Sequence, residues 1–206
     1  MREFTTISPH VVVSLEKLYG LCKVHKDGNR MSPVISMIGT AEYKLAKYLD
    51  NFIKPNIDYS VNSTSSFMEK LNNFNFSEGD QCVSFDVCSL YTNVPLEETI
   101  NLISDKSKRV PPFPQKWVKK LLKFDTSGMF MYNGRLYKHV DGVAMGSPLG
   151  PSLANFFLGH LEEKLFQNTS ECVWGSMNPK FYIRYVDDIF AIFDKDVPSE
   201  MFLKPY

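Results

Sequence analysis

Two adjacent aspartates between two strand-forming runs constrain this chain more than any other feature. The stretch reads Phe181-Tyr182-Ile183-Arg184, then Tyr185-Val186-Asp187-Asp188, then Ile189-Phe190-Ala191-Ile192-Phe193. Aromatic and β-branched residues favour strands, so the pattern predicts a tight β-hairpin with Asp187 and Asp188 at its turn. Crowded carboxylates are costly unless positive charge lies between them, and divalent cations prefer oxygen ligands. The stretch is therefore typical either of a metal site or of an ordinary solvated turn.

A third carboxylate in a matching setting favours the metal site. Asp86 lies in the run Gln81-Cys82-Val83-Ser84-Phe85-Asp86-Val87. On a strand, Val83, Phe85 and Val87 share one face, whereas Ser84 and Asp86 share the other. We therefore expect Asp86, Asp187 and Asp188 to converge at one edge of a single sheet, where they could hold bridging metal ions.

Composition bounds the class of protein. The chain has 206 residues, of which 44% are hydrophobic, so it can bury a core as one large domain or two small ones and is not disordered. Its 23 basic and 23 acidic residues balance, but nine Lys or Arg fall between positions 104 and 138 against two Asp. The four cysteines lack the spacing of a zinc site or disulfide framework. No apolar run approaches the roughly 20 residues of a membrane span, so we expect reduced thiols, an intracellular location and no membrane partner.

The remaining segments predict a mixture of helices and hairpins. A basic hairpin is expected from Leu18 to Ser36, and its cations form either a solvated face or a finger that reaches a polyphosphate. A second hairpin is expected over 130–137, where the Asn-Gly pair suits a type I′ turn. Helices are expected over 41–54, after the cap at 62–66, over 96 to about 107, over 117–124 and over 152 to about 166.

A glycine-rich loop precedes the last of these helices. It reads Asp141-Gly142-Val143-Ala144-Met145-Gly146-Ser147-Pro148-Leu149-Gly150-Pro151. Bare backbone at Gly142 and Gly146 suggests a loop that something flat or phosphate-bearing passes closely. A plain helix-entry loop explains Pro151 but not the two earlier glycines.

Taken in order, these motifs resemble those of one family. Tyr19-Gly20-Leu21-Cys22-Lys23-Val24-His25-Lys26 resembles its finger motif, and Ser84-Phe85-Asp86-Val87-Cys88-Ser89-Leu90-Tyr91-Thr92-Asn93-Val94-Pro95 resembles its first catalytic strand. The loop from Asp141 to Pro151 and the Tyr185–Asp188 stretch resemble its remaining two elements. The family is the reverse transcriptase of Penelope-like retroelements, and the resemblance spans residues 18–193.

The resemblance implies an α+β fold, that of a right-hand polymerase. We expect fingers and a palm, with an antiparallel palm sheet backed by helices and the thumb absent. The whole of 1–206 would be one reverse transcriptase domain, with about 15–80 as fingers and about 81–200 as palm with finger insertions. Proteins of the family continue into a thumb and often a GIY-YIG endonuclease, which a longer parent protein would carry.

The resemblance also implies an activity, copying RNA into DNA. Asp86, Asp187 and Asp188 would form the catalytic metal site, in which Asp86 and Asp187 hold two magnesium ions with Asp188 supporting them and manganese as a substitute. The expected partners are an RNA template, a DNA primer and deoxynucleoside triphosphates, and the expected location is the nucleus.

Further site residues follow from the same resemblance. Tyr91 corresponds to the aromatic residue that excludes ribonucleotides. The expected nucleotide-binding residues are Lys23, Arg30, Tyr91, Gly142 and Ser147. The expected nucleic-acid-binding residues are Lys116, Lys119, Lys120, Gly146, Pro148 and Tyr185.

Two departures leave alternatives open. The family commonly has Pro where this chain has Cys22, and Arg where it has Ser32, although Arg30 lies two residues away on the same strand face. One alternative is a truncated or decayed copy that keeps the palm fold and binds nucleic acid weakly without catalysis. Another is a different metal-dependent phosphoryl-transfer enzyme, which the settings of Tyr91 and Gly142 disfavour.

Overall fold

The structure, a computed structural model, describes residues 14–24, 31–53, 59–106, 114–167 and 178–197. The backbone divides into two compact units, one of residues 1–53 and 95–150 and the other of residues 54–94 and 151–206. The elements are, in chain order, β1 (Glu16–Cys22), β2 (Met31–Ser36), α1 (Ala41–Ile53), α2 (Thr64–Asn72), β3 (Gln81–Asp86), α3 (Leu90–Asn93), α4 (Leu96–Lys106), α5 (Gln115–Asp125), β4 (Met129–Tyr132), β5 (Arg135–Lys138), α6 (Gly150–Gln167), β6 (Phe181–Tyr185) and β7 (Asp188–Phe193).

The first unit is built on a four-stranded sheet with strand order β2-β1-β4-β5. The predicted basic hairpin forms β1 and β2, which pair antiparallel. The hairpin β4–β5 turns at Asn133 and Gly134, both with positive φ, as a type I′ turn requires. Strands β1 and β4 pair in parallel through Glu16 and Lys17, a long-range contact that local sequence patterns do not predict.

The helices of the first unit bury one face each. Helix α4 buries Ile100 and Ile103, and α5 buries Val118 and Leu122, with the three- and four-residue spacing of an amphipathic helix. Helix α5 contacts both α4 and α1. These contacts form the apolar core of this unit.

The second unit holds an antiparallel sheet with strand order β3-β7-β6. Residues alternate between its two faces. One face carries Asp86, Asp188 and Phe190, and part of it is covered by α2, whose Phe67 ring lies 5.4 Å from that of Phe190. The other face is covered by α6, whose Phe166 ring lies 5.0 Å from that of Tyr182. The result is an antiparallel sheet backed by helices, as predicted.

The bounds of α1, α4, α5 and α6 agree with the sequence predictions to within about two residues, the usual spread between assignments, whereas the four-residue helix α3 was not predicted. Helix α2 begins as expected at a polar cap, because the Ser63 hydroxyl accepts a hydrogen bond from the Ser66 N–H at 3.1 Å. Among the helices in the described ranges, none combines the length and apolar character needed to cross a membrane. The predicted division into fingers at about 15–80 and palm at about 81–200 stays a prediction.

Candidate functional site

The three predicted acids lie at one end of the sheet of the second unit. Strand β3 ends at Asp86 and β7 begins at Asp188, and these two residues are direct partners in the antiparallel ladder. Directly opposed residues of such a ladder have Cβ atoms about 4.5–5.5 Å apart. Asp187, in the turn before β7, is tied to the same end of β3, since its carbonyl accepts a hydrogen bond from the Val87 N–H at 2.9 Å. The structure therefore brings together acids that are about a hundred residues apart in sequence.

The hairpin turn differs from the prediction in one respect. Its two central residues are Val186 and Asp187, and Asp188 is not in the turn but opens β7, paired with Tyr185 on one side and Asp86 on the other. This placement is a consequence of register, because β6 ends one residue earlier than a turn centred on the two acids would require. Asp188 thereby occupies a central strand, between the two neighbours that carry the other site residues.

The turn contains an unusual backbone conformation. Val186 has φ +54°, in the left-handed region that β-branched residues rarely adopt. Such a conformation costs on the order of 1–3 kcal/mol and persists only when the surrounding structure holds it. The Val186 carbonyl accepts a hydrogen bond from the Arg184 guanidinium at 3.0 Å.

The chemistry of the acids suits a hard divalent cation. Asp86 and Asp188 are both exposed, and like charges that face each other across a ladder repel. Across the described ranges, no group of three or more His, Cys, Asp or Glu side chains forms a preorganised metal cluster. Magnesium is commonly bound by only one or two carboxylates together with water and substrate phosphates, so the pair of opposed acids fits this ion.

Tyr91 lies beside the acids. It belongs to the short helix α3, which follows the turn from β3. Its side chain is half-buried, and burial together with the charge of Asp187 raises the pKa of the Tyr91 hydroxyl. The role expected for Tyr91 from the resemblance, exclusion of ribonucleotides, stays a prediction.

A groove lies on the acid-bearing face of this sheet. Its volume is about 590 Å³, and Tyr185 and Asp188 line one end of it. Phe67, Phe190 and Ile183 supply much of the apolar lining. A groove with exposed aromatic surface next to carboxylates can receive a ring or sugar whose phosphate approaches the acids.

The glycine-rich loop lies in the first unit, and the structure gives a different reason for Gly146 than the close passage of a ligand. Gly146 has φ +112°, and a Cβ there would lie 2.6 Å from the Ile35 carbonyl oxygen of β2. The Ile35 N–H in turn donates to the Met145 carbonyl at 2.8 Å. The close approach inferred at Gly146 is thus made by β2 of the same chain, and it gives no evidence for a ligand. Binding of nucleic acid at Gly146 and Pro148 stays a prediction.

The rest of the loop also has internal bonding that explains its sequence. Asp141 Oδ1 accepts hydrogen bonds from the N–H groups of Gly142 and Leu96, which lower the pKa of Asp141 and cap the start of α4. Gly142 has φ +77°, which favours glycine. The Ser147 hydroxyl accepts from the Leu149 N–H at 3.2 Å. The nucleotide-binding roles expected for Gly142 and Ser147 stay predictions.

The basic residues divide into two groups. Two lysines contact α4. Lys119 contacts Asn101 and Glu97, and Lys123 contacts Glu97. Lys116 and Lys120 are exposed, and the Lys120 ammonium lies 5.1 Å from the centre of the Trp117 ring. Of the three lysines predicted to bind nucleic acid, Lys119 is therefore partly neutralised within the protein.

The structure describes one of the two expected finger cations. Lys23 directly follows β1 and is half-buried. Arg30 lies outside the described residues. Ser32 lies on β2, opposite Leu21.

Sequence reasoning missed a buried ion pair beneath the acids. The Arg184 guanidinium, which is 0% exposed, pairs with Glu162 of α6. The available signal was a charged residue at a strand position facing away from the acids, together with a glutamate in an apolar helix. Nothing local in the sequence links residues 162 and 184 as partners.

The chain is similar to known proteins both in sequence family and in fold. The family model described as "Reverse transcriptase (RNA-dependent DNA polymerase)" matches residues 24–203. No curated protein matches the chain. Among solved structures, telomerase from Candida albicans in complex with a TWJ fragment of telomeric RNA is 12% identical with a TM-score of 0.61, covering 92% of this chain and 39% of that one. Apo telomerase from Candida tropicalis is 13% identical with a TM-score of 0.61, covering 96% of this chain and 41% of that one.

The likeness to these telomerases shows the fold. It confirms the α+β architecture of fingers and palm that the motifs predicted. The chain spans about two fifths of the length of the telomerase chains that it matches.

Proposed function

Because this chain belongs to the reverse transcriptase (RNA-dependent DNA polymerase) family, we propose that it extends a DNA primer on an RNA template with Asp86, Asp187 and Asp188 at the reacting centre. The observation that carries the proposal is the ladder pairing of Asp86 with Asp188, with Asp187 tied to the same sheet end through Val87. In the reaction, the primer 3′-oxygen forms a bond to the α-phosphorus of a deoxynucleoside triphosphate. The bond between the α-phosphorus and the pyrophosphate oxygen breaks, pyrophosphate departs, and the hydroxyl proton passes to water.

The acids are proposed to hold two magnesium ions, or manganese in their place. When bound, these ions lower the pKa of the primer hydroxyl and neutralise the charge that develops on the leaving pyrophosphate. The contribution of the protein is to present carboxylate oxygens from three positions at one sheet end. Register on β3 and β7 fixes two of these positions, and the hairpin turn fixes the third.

Other residues are proposed to choose and orient the substrates. Tyr91 would exclude a 2′-hydroxyl, because its ring lies near Asp187 and therefore near the sugar of a nucleotide whose phosphates meet the acids. Tyr185 borders the groove of about 590 Å³ and would contact the primer end. The remaining proposed contacts with the nucleotide are Lys23, Arg30, Gly142 and Ser147, and those with the template–primer backbone are Lys116, Lys119, Lys120, Gly146 and Pro148.

We further propose that the chain derives from a Penelope-like retroelement. The finger motif around Lys23 and the order of the four motifs support this subtype. A parent protein with a thumb and an endonuclease, and a nuclear location, belong to the same proposal. Retroelement copying needs contact with the nucleic-acid backbone but no sequence reading, which exposed lysines can supply.

A non-catalytic copy is the second candidate, and one observation favours it. Ser32 stands where the family commonly has the arginine expected on the incoming triphosphate. A protein of this kind would keep the sheet and bind nucleic acid without extending a primer.

Primer extension separates the two candidates. The chain is incubated with an RNA template, a DNA primer, deoxynucleotides and magnesium, beside Asp188→Asn and the exposed-site control Asp196→Asn. We expect extension by the wild type and by Asp196→Asn, and none by Asp188→Asn. Folded wild-type protein that binds the duplex but never extends the primer would favour the non-catalytic copy.

A further inference from the structure

Arg184 is a fully buried cation whose role the proposed chemistry does not explain. It lies on β6, two residues before the turn, with 0% of its surface exposed. Its strand position puts it on the face opposite that of Tyr185, towards α6. A buried charge is very unfavourable unless it is paired and hydrogen-bonded, so the partners of Arg184 show what the fold gains from it.

Helix α6 supplies most of these partners. The Arg184 Nε donates to Glu162 Oε1 at 2.6 Å and Nη2 donates to Glu162 Oε2 at 3.1 Å, the two-point geometry that a guanidinium forms with a carboxylate. Nη1 donates to Asn155 Oδ1 at 2.7 Å. The Tyr182 hydroxyl also donates to Glu162 Oε1, at 2.9 Å. The guanidinium is thus bound to α6 at two residues that lie about two turns apart.

One further bond leads from this network to the acids. Nη1 of Arg184 donates to the Val186 carbonyl oxygen at 3.0 Å. The Val186 carbonyl and the Asp187 nitrogen form one peptide group. This group directly follows the Cα of Val186, the residue with φ +54°. The next peptide group is held as well, because the Asp187 carbonyl accepts from the Val87 N–H at 2.9 Å. Both peptide groups that flank the Asp187 Cα are therefore anchored, one by Arg184 and one by the strand-end residue after β3.

The backbone of Arg184 is anchored in the same way. Its N–H donates to the Tyr59 carbonyl at 2.8 Å, and its own carbonyl accepts from the Val61 N–H at 2.9 Å. Residues 59–61 thus cover the edge of β6 next to the turn, so the backbone of Arg184, from which its side chain extends, is held in place.

We propose that Arg184 is a positioning residue that holds the Val186-Asp187 turn, and so the Asp187 carboxylate, in the orientation that meets Asp86 and Asp188. This inference rests on the proposed function for its catalytic meaning, but the holding of the turn is a property of the protein alone. Glu162 and Asn155 aim the guanidinium, and the bond to the Val186 carbonyl stabilises a conformation that valine rarely adopts. An apolar residue could fill the same space but could not donate to that carbonyl.

Three variants separate positioning from packing. Arg184→Lys keeps the charge and loses the two-point fork. The triple variant Arg184→Met, Glu162→Met, Tyr182→Phe replaces the charged pair by apolar side chains of similar size and leaves no unpaired Tyr182 hydroxyl, an exchange that folds commonly tolerate. Lys164→Met is the control, because Lys164 is exposed on the same helix.

Amide hydrogen exchange, followed by NMR without metal or substrate, is the direct readout. The Val87 N–H reports the turn, since it bonds to Asp187, and the Lys180 N–H reports the far end of the same sheet through its 2.8 Å bond to Ile192. We expect both Arg184 variants to raise the exchange rate of the Val87 amide by about tenfold or more, the loss expected for a hydrogen bond from a charged donor, with the Lys180 amide unchanged. Lys164→Met should change neither.

A purely structural role of Arg184 gives a different result. Exchange would then rise equally at Val87 and Lys180 in the variants, and that outcome would overturn the proposal. Equal Val87 exchange in wild type and both Arg184 variants would overturn it too.

Manganese binding, measured by electron paramagnetic resonance without substrate, tests the link to the acids. We expect binding by the wild type, its loss in Asp187→Asn and about tenfold weaker binding in the Arg184 variants. No Asp187-dependent binding by the wild type would count against the proposed function, while selective exchange at Val87 would still support the positioning of the turn. Equal manganese affinity in wild type and Arg184 variants would contradict the positioning of the carboxylate.

Discussion

Asp125, the last residue of α5, is a buried carboxylate, and its replacement by asparagine should stabilise the protein in a pH-dependent way. Asp125 is 2% exposed, and within the described part of the chain neither carboxylate oxygen has a hydrogen-bond partner. Burial, together with the charges of Glu42 and Glu16, raises the pKa of Asp125 to about 7. Burial also raises the pKa of Glu16 to about 7, with Glu42 contributing.

The surroundings of Asp125 offer no compensating cation among the described residues. Glu16 is buried against Gly128, where a Cβ would overlap its carboxylate. His139 lines the same small cavity as Glu16 and Asp125, and burial lowers the pKa of His139, which favours its neutral form. Above pH 7 the first unit therefore contains buried negative charge with little to offset it.

The sign and size of the effect follow from the pKa of Asp125. An acid whose pKa is higher in the folded state binds its proton more tightly there, so stability is lost as the pH rises from about 4 to about 7 and is constant above. The rise from 3.8 to about 7 is about three units, or on the order of 4 kcal/mol in full. Part of this loss is already present at pH 5, which leaves about 2.5 kcal/mol between pH 5 and pH 8.

Thermal melts of wild type and Asp125→Asn at pH 5 and pH 8 measure this difference. The advantage of the variant should grow by about 5–10 °C between the two values, since 1 kcal/mol corresponds to about 2–4 °C for a chain of this size. Asp196→Asn, at an exposed position, is the control and should show no such growth. An advantage that is equal at both pH values, or a variant less stable than wild type at pH 8, would refute the reasoning.

Three further predictions concern the loop, the gate and the basic helix. Gly146→Ala should lower the free energy of unfolding by more than about 2 kcal/mol, because the added Cβ meets the Ile35 carbonyl oxygen at a position with positive φ. Gly39→Ala, with φ +89° but nothing within 4 Å of the added Cβ, should lower it by only about 1 kcal/mol. Equal losses of the two variants in chemical denaturation would contradict this prediction. Tyr91→Ala should reduce the preference for deoxyribonucleotides by about tenfold or more in primer extension while Tyr91→Phe retains it, and unchanged sugar preference in an active Tyr91→Ala would make Tyr91 a packing residue. In anisotropy titrations with template–primer duplex, the slope of log binding constant against log salt should become shallower by about two when Lys116 and Lys120 are both replaced by alanine. Lys119→Ala should change that slope by less than about one. An unchanged slope in the double variant would exclude Lys116 and Lys120 from the backbone contact.

Local patterns predicted the elements well, because their causes are local. The alternation around Asp86 identified β3 and its faces, and the Asn133-Gly134 pair identified the type I′ hairpin from the positive φ that it requires. The convergence of Asp86 with Asp188 also followed, since both lie at the ends of strand-like runs.

What sequence reasoning missed depends on contacts between distant residues. The pairing of Arg184 with Glu162 depends on how α6 lies on the sheet, and no local pattern encodes it. The positive φ at Val186 contradicts the preference of valine; a two-residue hairpin turn favours it, and the Val186 carbonyl accepts a bond from Arg184, which distant residues anchor. Gly146 was attributed to a ligand because its actual neighbour, Ile35, is more than a hundred residues away.

The central claim, that Asp86, Asp187 and Asp188 together form the reacting centre, is tested most directly by iron-mediated cleavage. Ferrous iron replaces magnesium in the protein with template–primer and deoxynucleotide, and ascorbate with peroxide then generates hydroxyl radicals that cut the backbone near the bound metal. We expect cuts next to Asp86 and next to Asp187-Asp188, suppressed by excess magnesium and abolished together in Asp86→Asn. Cuts confined to other parts of the chain, or cuts at the hairpin that persist in Asp86→Asn, would contradict it.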